Sequence, residues 1–397
     1  MKVDTDPQKI KKLLERGVEN IYPKYEFLEK RLQSGEQLKL YTGYDPTAPT
    51  LHIGHGITLM KLRQFQDLGH KVIMLIGDFT GMIGDPTDKT SARQQLTKDQ
   101  VLENCKEYQK QASTILNFEG DNAVEVKYNS EWLAKMSFAD VLELTSHFSV
   151  QRMLERDMFQ VRMKEEKPVY VHEFMYPVMQ GYDTVAMDVD GEVGGNDQTF
   201  NMLAGRTLMK DLKNKEKFVL TMKLLTDSTG KKMGKSEGNM IAFTDSPADM
   251  FGKVMSWTDG MIVSGFELCT EVSNKEIGEV EKQMEDGANP RDYKMQLAYE
   301  VTKTFLGEEA AKIGKEHFAK VIQSKDKPED ILEISPTDYN IVNILVEAKF
   351  ANSKSDARRA VEQGGVKIDD LKVADISMQV KSGQVIQKGK RFFVKVK

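Results

Sequence analysis

The chain has 397 residues, of which 40% are hydrophobic and 29% charged, with a formal net charge of −5. That balance is ordinary for a water-soluble globular protein of two or three domains, and no apolar run reaches the ~18 residues of a membrane span, so no membrane partner is expected. Cys105 and Cys269 stand far apart with no CxxC pair, which excludes a disulfide scaffold and a structural zinc site. The charged, helix-like N-terminus argues against a secretory signal. Together these lead us to expect a cytoplasmic protein. Charge is unevenly spread: residues 339–397 carry a net +6 and the remainder −11. A basic tail on an acidic body suits nucleic-acid contact, and equally a solvated lysine-rich surface.

In chain order, residues 8–33 show helical spacing. LKLYTGY (38–44) predicts a strand, followed by a loop with two prolines. ITLMKLRQFQDLG (57–69) predicts a helix closed by Gly69. HKVIMLIGDF (70–79) is a continuous apolar run of the kind buried in a parallel sheet. A helical stretch covers about 97–117, and VEVKYN (124–129), TVAMDVD (184–190) and KFVLTMKLL (217–225) are further strand candidates. Strands alternating with helices predict a doubly wound α/β domain with a parallel sheet, whose ligands sit beyond the carboxyl ends of the strands. Residues 141–180 interrupt the alternation with a segment rich in Met and Arg. Residues 246–324 read as helical, 325–338 as a polar linker with two prolines. The remainder, 339–397, reads as a small α+β domain with a short helix in SKSDARRAVEQGG and a hairpin in GQVIQKGKRFFVKV.

The stretch YTGYDPTAPTLHIGH (41–55) holds two of the six histidines, His52 and His55, between a strand and a helix. Gly54 lets backbone approach a ligand, and the helix N-terminus favours an anion. Alone, such a pair would as readily cap the helix. The second cationic segment is Lys231-Lys232-Met233-Gly234-Lys235-Ser236, in a loop rich in small residues that suits a lid over phosphates. Tyr176, Gln180 and Asp183 fall at i, i+4 and i+7, on one helix face, although Pro177 should start that helix or kink it.

HIGH followed about 180 residues later by KMGKS resembles the two-part signature of class I aminoacyl-tRNA synthetases. The block Tyr41-x-Gly43-x-Asp45-Pro46-Thr47, the GDPT loop (84–87), YPVMQGYD (176–183), GGNDQ (194–198) and a tail similar to an S4-type RNA-binding domain resemble the tyrosyl enzymes over essentially the whole chain. Thr42, the Thr-Phe-Asn after GGNDQ and the KMGKS form of the lid match their second bacterial branch. The resemblance implies a Rossmann-like catalytic domain over 1–245 with a dimer-interface insertion at about 141–180, a helical anticodon-binding domain over 246–324 and an S4-like domain over 339–397. It implies activation of L-tyrosine with ATP, then transfer to tRNA(Tyr), by a homodimer.

By the same resemblance, Thr47, His52, His55, Lys232 and Lys235 act on the phosphates, with Lys89 and Arg93 as further cations. Tyr41 and Asp183 meet the substrate hydroxyl. Asp85, Tyr176 and Gln180 match the ammonium cluster, with Gln198 also on the tyrosine side. Gly43, Asp45, Gly54, Gly195, Asp197, Met233 and Ser236 complete the ATP and adenylate region. Lys354, Arg358 and Arg359 are expected to face RNA, and Arg152 and Arg162 to meet the acceptor stem. Mg²⁺ is expected to accompany ATP with no dedicated protein metal site. The substrate carboxylate is already a nucleophile, so catalysis should rest on positioning and charge stabilisation rather than on a general base. The competing readings are a tryptophanyl enzyme, a small-molecule nucleotidyltransferase with an HxGH motif, and an RNA-binding relative without catalysis.

Overall fold

The alternating pattern folds into a six-stranded sheet built from β1 (Val18–Tyr22), β2 (Lys39–Tyr44), β3 (Lys71–Ile76), β4 (Glu125–Tyr128), β5 (Gly191–Gly195) and β6 (Phe218–Met222). The computed structural model describes residues 2–87, 96–227, 230, 233, 240–320, 331–351, 353–369, 371–389 and 392–397. They form two compact units, 1–315 and 316–397. In the first unit the strand order is β1-β6-β5-β2-β3-β4, with every pair parallel except β1 on β6. The chain runs outward from β2 through β3 to β4, then returns to the other side of β2 for β5 and β6. The order therefore reverses between β2 and β5, which opens a crevice at their carboxyl ends. β6 is buried at every position and β3 at all but its first residue, in keeping with a sheet covered on both faces.

Three local expectations change. The helical reading of 8–33 is split: helices Pro7–Glu15 and Tyr25–Gln33 flank β1, a short edge strand held by antiparallel pairing of Val18–Tyr22 with β6. Its sequence, VENIY, has no buried position and so carries little periodic signal. TVAMDVD is not a strand through 184–187. The helix Val171–Met187 runs on through those residues and closes at Asp188 in the left-handed conformation, φ 46°. The strand is instead Gly191–Gly195, whose three glycines read as loop. Pro177 lies inside that helix and does not start it.

Residues 246–320 are helical, with the helices Pro247–Met255, Ile262–Cys269, Asn274–Glu285, Pro290–Leu306 and Glu308–Phe318. Their starts follow capping chemistry: Ser246, Ser273 and Asn289 each accept a hydrogen bond from the backbone of the first turn. Phe243 and Phe305 meet at 5.1 Å between ring centroids, packing the helix Pro290–Leu306 beside the chain that follows the lid segment.

In the second unit, β7 (Leu332–Ile334), β8 (Val366–Ile368), β9 (Leu371–Val373), β10 (Val385–Lys388) and β11 (Phe392–Val396) form a sheet in the order β7-β11-β10-β8-β9. The expected hairpin is present as β10–β11. β7 falls within the stretch read as linker, because pairing with β11 supplies a strand that its own polar sequence does not announce. Ile341, Ile344, Leu345, Ala357, Val361, Val366, Ile386 and Val394 form an aliphatic core.

Candidate active site

The crevice between β2 and β5 is a cavity of about 930 Å³. Three elements shape it: α1 (Ile53–Asp67) after β2, α2 (Val171–Met187) before β5, and α3 (Thr199–Lys213) after β5. Tyr41, Gly43, Asp45, Thr47, His52, Gly54, His55, Asp85, Tyr176, Gln180, Asp183, Gly195, Asp197, Gln198 and Met233 all line it. Residues from five separate sequence segments thus converge on one space. Lys89, Arg93, Lys232, Lys235 and Ser236 lie outside the described residues.

At the start of α1 the two imidazoles stack, with centroids 3.8 Å apart and planes at 18°. The backbone N–H of His52 donates to His55 Nδ1 at 3.3 Å, so His55 does cap the helix while its ring faces the cavity. A side chain at Gly54 would press on the His52 ring at about 3.0 Å, so glycine leaves that ring its place. The segment after the lid returns to this turn: Ile53 N–H donates to the Ile241 carbonyl at 3.0 Å, and Phe243 N–H to that of Leu51 at 2.9 Å. Met233 is buried, and its N–H is held by the Leu225 carbonyl at 2.8 Å. The chain after the lid is therefore anchored against the HIGH turn, and Met233 against Leu225.

The polar groups of the cleft are cross-linked. Asp45 accepts from the Thr80 hydroxyl and from the Tyr176 hydroxyl, both at 2.7 Å. Asp85 accepts from the Gln198 amide at 2.6 Å and from Thr87 N–H and hydroxyl at 3.0 and 2.7 Å. Gln180 donates to Glu192 at 3.0 Å. Asp85, Tyr176 and Gln180 thus share the cavity but are each fixed by a different partner.

Asp183 is 2% exposed and accepts from Trp132 Nε1 at 2.7 Å and Asn129 Nδ2 at 3.2 Å. Burial, and then the charges of Glu192 and Asp45, hold its carboxyl well above the usual carboxylate range against the pull of those two donors. Tyr41 is fully buried, with its hydroxyl 3.0 Å from Thr184 Oγ1. Burial raises its pKa further, so it is a neutral hydroxyl that can donate or accept.

Several residues at the site were not anticipated from sequence. Asn129 and Trp132 follow β4 and hold Asp183. Glu192 and Lys217 form an ion pair with neither residue more than 2% exposed. Arg156 donates to the Thr87 hydroxyl at 2.7 Å and lies 3.9 Å from Asp85, with Phe200 under its guanidinium at 5.0 Å. The one signal available for Lys217 is a lysine at the head of an apolar strand; for the others there was none. Arg162 corrects an expectation: it is 1% exposed and paired through two nitrogens with Glu173, so it is not available to RNA. Arg152 is exposed.

In the second unit Lys354 and Arg358 line a cavity of about 420 Å³ together with Asp338, Asn340, Asn343 and Gln379. Arg359 lies on the same helix, exposed, 3.7 Å from Asp356. Among the described residues there is no group of three side chains placed to hold a metal ion, and no helix long and apolar enough to cross a membrane.

Residues 33–323 match the family model of class I tRNA synthetases (W and Y), and residues 322–395 that of the tyrosine–tRNA ligase SYY-like C-terminal domain. The tyrosine–tRNA ligase of Thermotoga maritima is 46% identical over 396 residues, covering 98% of each chain. That of Colwellia psychrerythraea is 44% identical, covering 96% of this chain and 97% of its own. Among solved structures, a C-terminally truncated mitochondrial tyrosyl-tRNA synthetase of Coccidioides posadasii matches with a TM-score of 0.64 at 24% identity, over 78% of this chain and 91% of that one. The tyrosyl-tRNA synthetase of Archaeoglobus fulgidus, complexed with L-tyrosine, matches with a TM-score of 0.63 at 22% identity, over 78% of this chain and all of that one. With the site assembled at the switch point of a class I fold and full-length relatives above 40% identity, the chain belongs to the tyrosyl-tRNA synthetase family.

Proposed function

We propose that the β2–β5 cleft performs both steps of tyrosine–tRNA ligation, with its residues in the roles set out here. The activity follows from the family: the chain is an aminoacyl-tRNA synthetase that joins L-tyrosine to tRNA(Tyr) through a tyrosyl-adenylate. The observation that carries the residue roles is the convergence of a buried Tyr41–Asp183 pair and a half-buried histidine pair on one cavity. Tyr41 and Asp183 read the phenol. Asp85, Tyr176 and Gln180, with Asp45 behind Tyr176, surround the substrate ammonium, where an excess of carboxylate oxygens suits a cation. The substrate carboxylate then attacks the α-phosphate of ATP.

Thr47, His52 and His55 donate to the phosphates as charge develops, at a helix N-terminus whose dipole favours an anion. Lys232 and Lys235, with Lys89 and Arg93, are the cations assigned to the leaving pyrophosphate, and Met233 and Ser236 complete the lid. Gly43, Gly54, Gly195, Asp197 and Gln198 border the nucleotide, glycines allowing close approach. Mg²⁺ enters with ATP, as part of the substrate.

ATP–pyrophosphate exchange without tRNA tests this reading. Exchange with tyrosine, and little with phenylalanine or tryptophan, is expected. Equal exchange with tryptophan would overturn the assignment of Tyr41 and Asp183.

The catalytic domain is assigned to 1–245, the anticodon-facing helical domain to 246–324 and RNA contact by Lys354, Arg358 and Arg359 to the S4-like domain. We also infer a homodimer. Phe138, Leu142, Val150 and Val171 are exposed within one stretch of chain, 78% and 75% for the outer two. Apolar groups so concentrated on the surface suit a protein interface. Phe138→Asp with Val171→Asp should convert the dimer to monomer in sedimentation velocity; an unchanged dimer would place the interface elsewhere. Cytoplasmic residence agrees with two free, buried cysteines.

A further inference from the structure

Beneath the tyrosine pocket lies a buried ammonium whose three protons have three acceptors. Lys217 Nζ contacts Glu192 Oε2, Thr184 Oγ1 at 2.8 Å and the Met202 carbonyl at 3.3 Å. The space for it comes from α3: a side chain on Gly205 would stand about 2.7 Å from both Lys217 Nζ and Thr184 Oγ1. An ammonium has donors only, so Thr184 must accept from it. The Thr184 hydroxyl keeps its own proton for another partner, and Tyr41 Oη is 3.0 Å away. Tyr41 then accepts from Thr184 and must give its proton elsewhere. Among the described residues its pocket offers the Gln180 carbonyl, at a long 3.5 Å, and the Glu192 carboxylate, which already accepts from Lys217 and Gln180.

We propose that Lys217 is a specificity-determining positioning residue: it sets the direction of the Thr184–Tyr41 hydroxyl relay, so that Tyr41 presents a donor to the substrate's phenol oxygen. This rests on the reading that Tyr41 and Asp183 meet the phenol. The pocket then offers one donor, Tyr41, and one acceptor, Asp183. A phenol hydroxyl satisfies both at once, an indole N–H satisfies only the acceptor, and a phenyl ring satisfies neither. Were the relay reversed, Tyr41 would face the substrate as a second acceptor beside Asp183, and the advantage of a phenol over an indole would fall.

The test is the ratio of kcat/KM for tyrosine over phenylalanine in ATP–pyrophosphate exchange, with folding of each variant followed by circular dichroism. Tyr41→Phe should lower the ratio by about tenfold or more. Lys217→Met with Glu192→Gln, which removes the ammonium without stranding a buried charge, frees Thr184 to accept from Tyr41; the ratio should fall about tenfold. Adding Thr184→Val removes that competing acceptor and should return the ratio to within about threefold of the parent. Packing damage would add rather than reverse.

A triple variant no better than the double, or a double equal to the parent, overturns the relay while Tyr41→Phe still upholds the phenol reading. An unchanged ratio in Tyr41→Phe overturns that reading, and the relay with it. If the Lys217 variant does not fold, Thr184→Val alone decides. A ratio within about threefold of the parent supports the relay, and a fall as large as that of Tyr41→Phe overturns it.

Discussion

The two compact units use charge in opposite ways. In the first, the cleft buries Asp183, Glu192 and Lys217 and cross-links them through Tyr41, Thr184, Gln180, Asn129 and Trp132. In the second, the core is aliphatic, and Lys354, Arg358 and Arg359 stand on the surface of a short helix. A buried polar group must find its partner inside the protein, so it is held in one geometry and can discriminate between small ligands. A surface cation remains hydrated and screened, so it suits a large polyanion recognised through many weak contacts. The difference sets how each region should respond to substitution.

The largest effect is expected in the cleft. Asp183→Asn replaces one of the two buried acceptor oxygens with an amide donor and should lower kcat/KM for tyrosine about a hundredfold. The same change should shift thermal stability relative to the parent by an amount that depends on pH. The folded-state pKa of Asp183 lies above its unfolded value. Its stabilising influence is therefore complete below the unfolded pKa and is lost as pH rises through the folded one. The variant lacks that loss, so its melting temperature relative to the parent's should rise from acid to neutral pH. A constant difference across pH would mean that burial does not raise the Asp183 pKa.

In the second unit, Arg358→Ala with Arg359→Ala should weaken tRNA binding about tenfold at physiological salt and make log K less steep in log salt by about 1.5 units, near 0.7 for each lost contact. Exchange without tRNA should be untouched. An unchanged salt slope would remove these two residues from the RNA-facing surface and erase the contrast just drawn. The smallest effect is structural: Ser353 caps the helix that carries them, accepting from Asp356 N–H at 3.2 Å. Ser353→Ala should cost about 1 kcal/mol in the stability of that helix, read by hydrogen exchange, with tRNA affinity falling in parallel.

What could be seen in the sequence was uneven for identifiable reasons. HIGH, KMGKS, GDPT, YPVMQGYD and GGNDQ are short and contiguous, so their chemistry is visible in one dimension, and each of the five contributes at least one residue to the cavity lining. β3 and β6 announce themselves through continuous apolar runs. β5 does not, because three of its five residues are glycine. Nor does β1, whose residues are all at least partly exposed and whose pairing comes from a strand 200 residues away. The Glu192–Lys217 pair is illegible for another reason. Each is a single charged residue beside or within a strand, and they meet only because β5 and β6 lie side by side, with Glu192 opposite Val219.

The sequence by itself determined the fold class and, through its resemblance to a known family, the reaction and the residues proposed to touch substrate, because short contiguous motifs carry that resemblance. Only the tertiary structure decided their partners: Tyr176 on Asp45, Gln198 on Asp85, Trp132 on Asp183, and Lys217 under Thr184 and Tyr41. It also withdrew Arg162 from the surface, by pairing it with Glu173. Hydrogen bonds reach about 3 Å, and no spacing along the chain says which distant groups come that close.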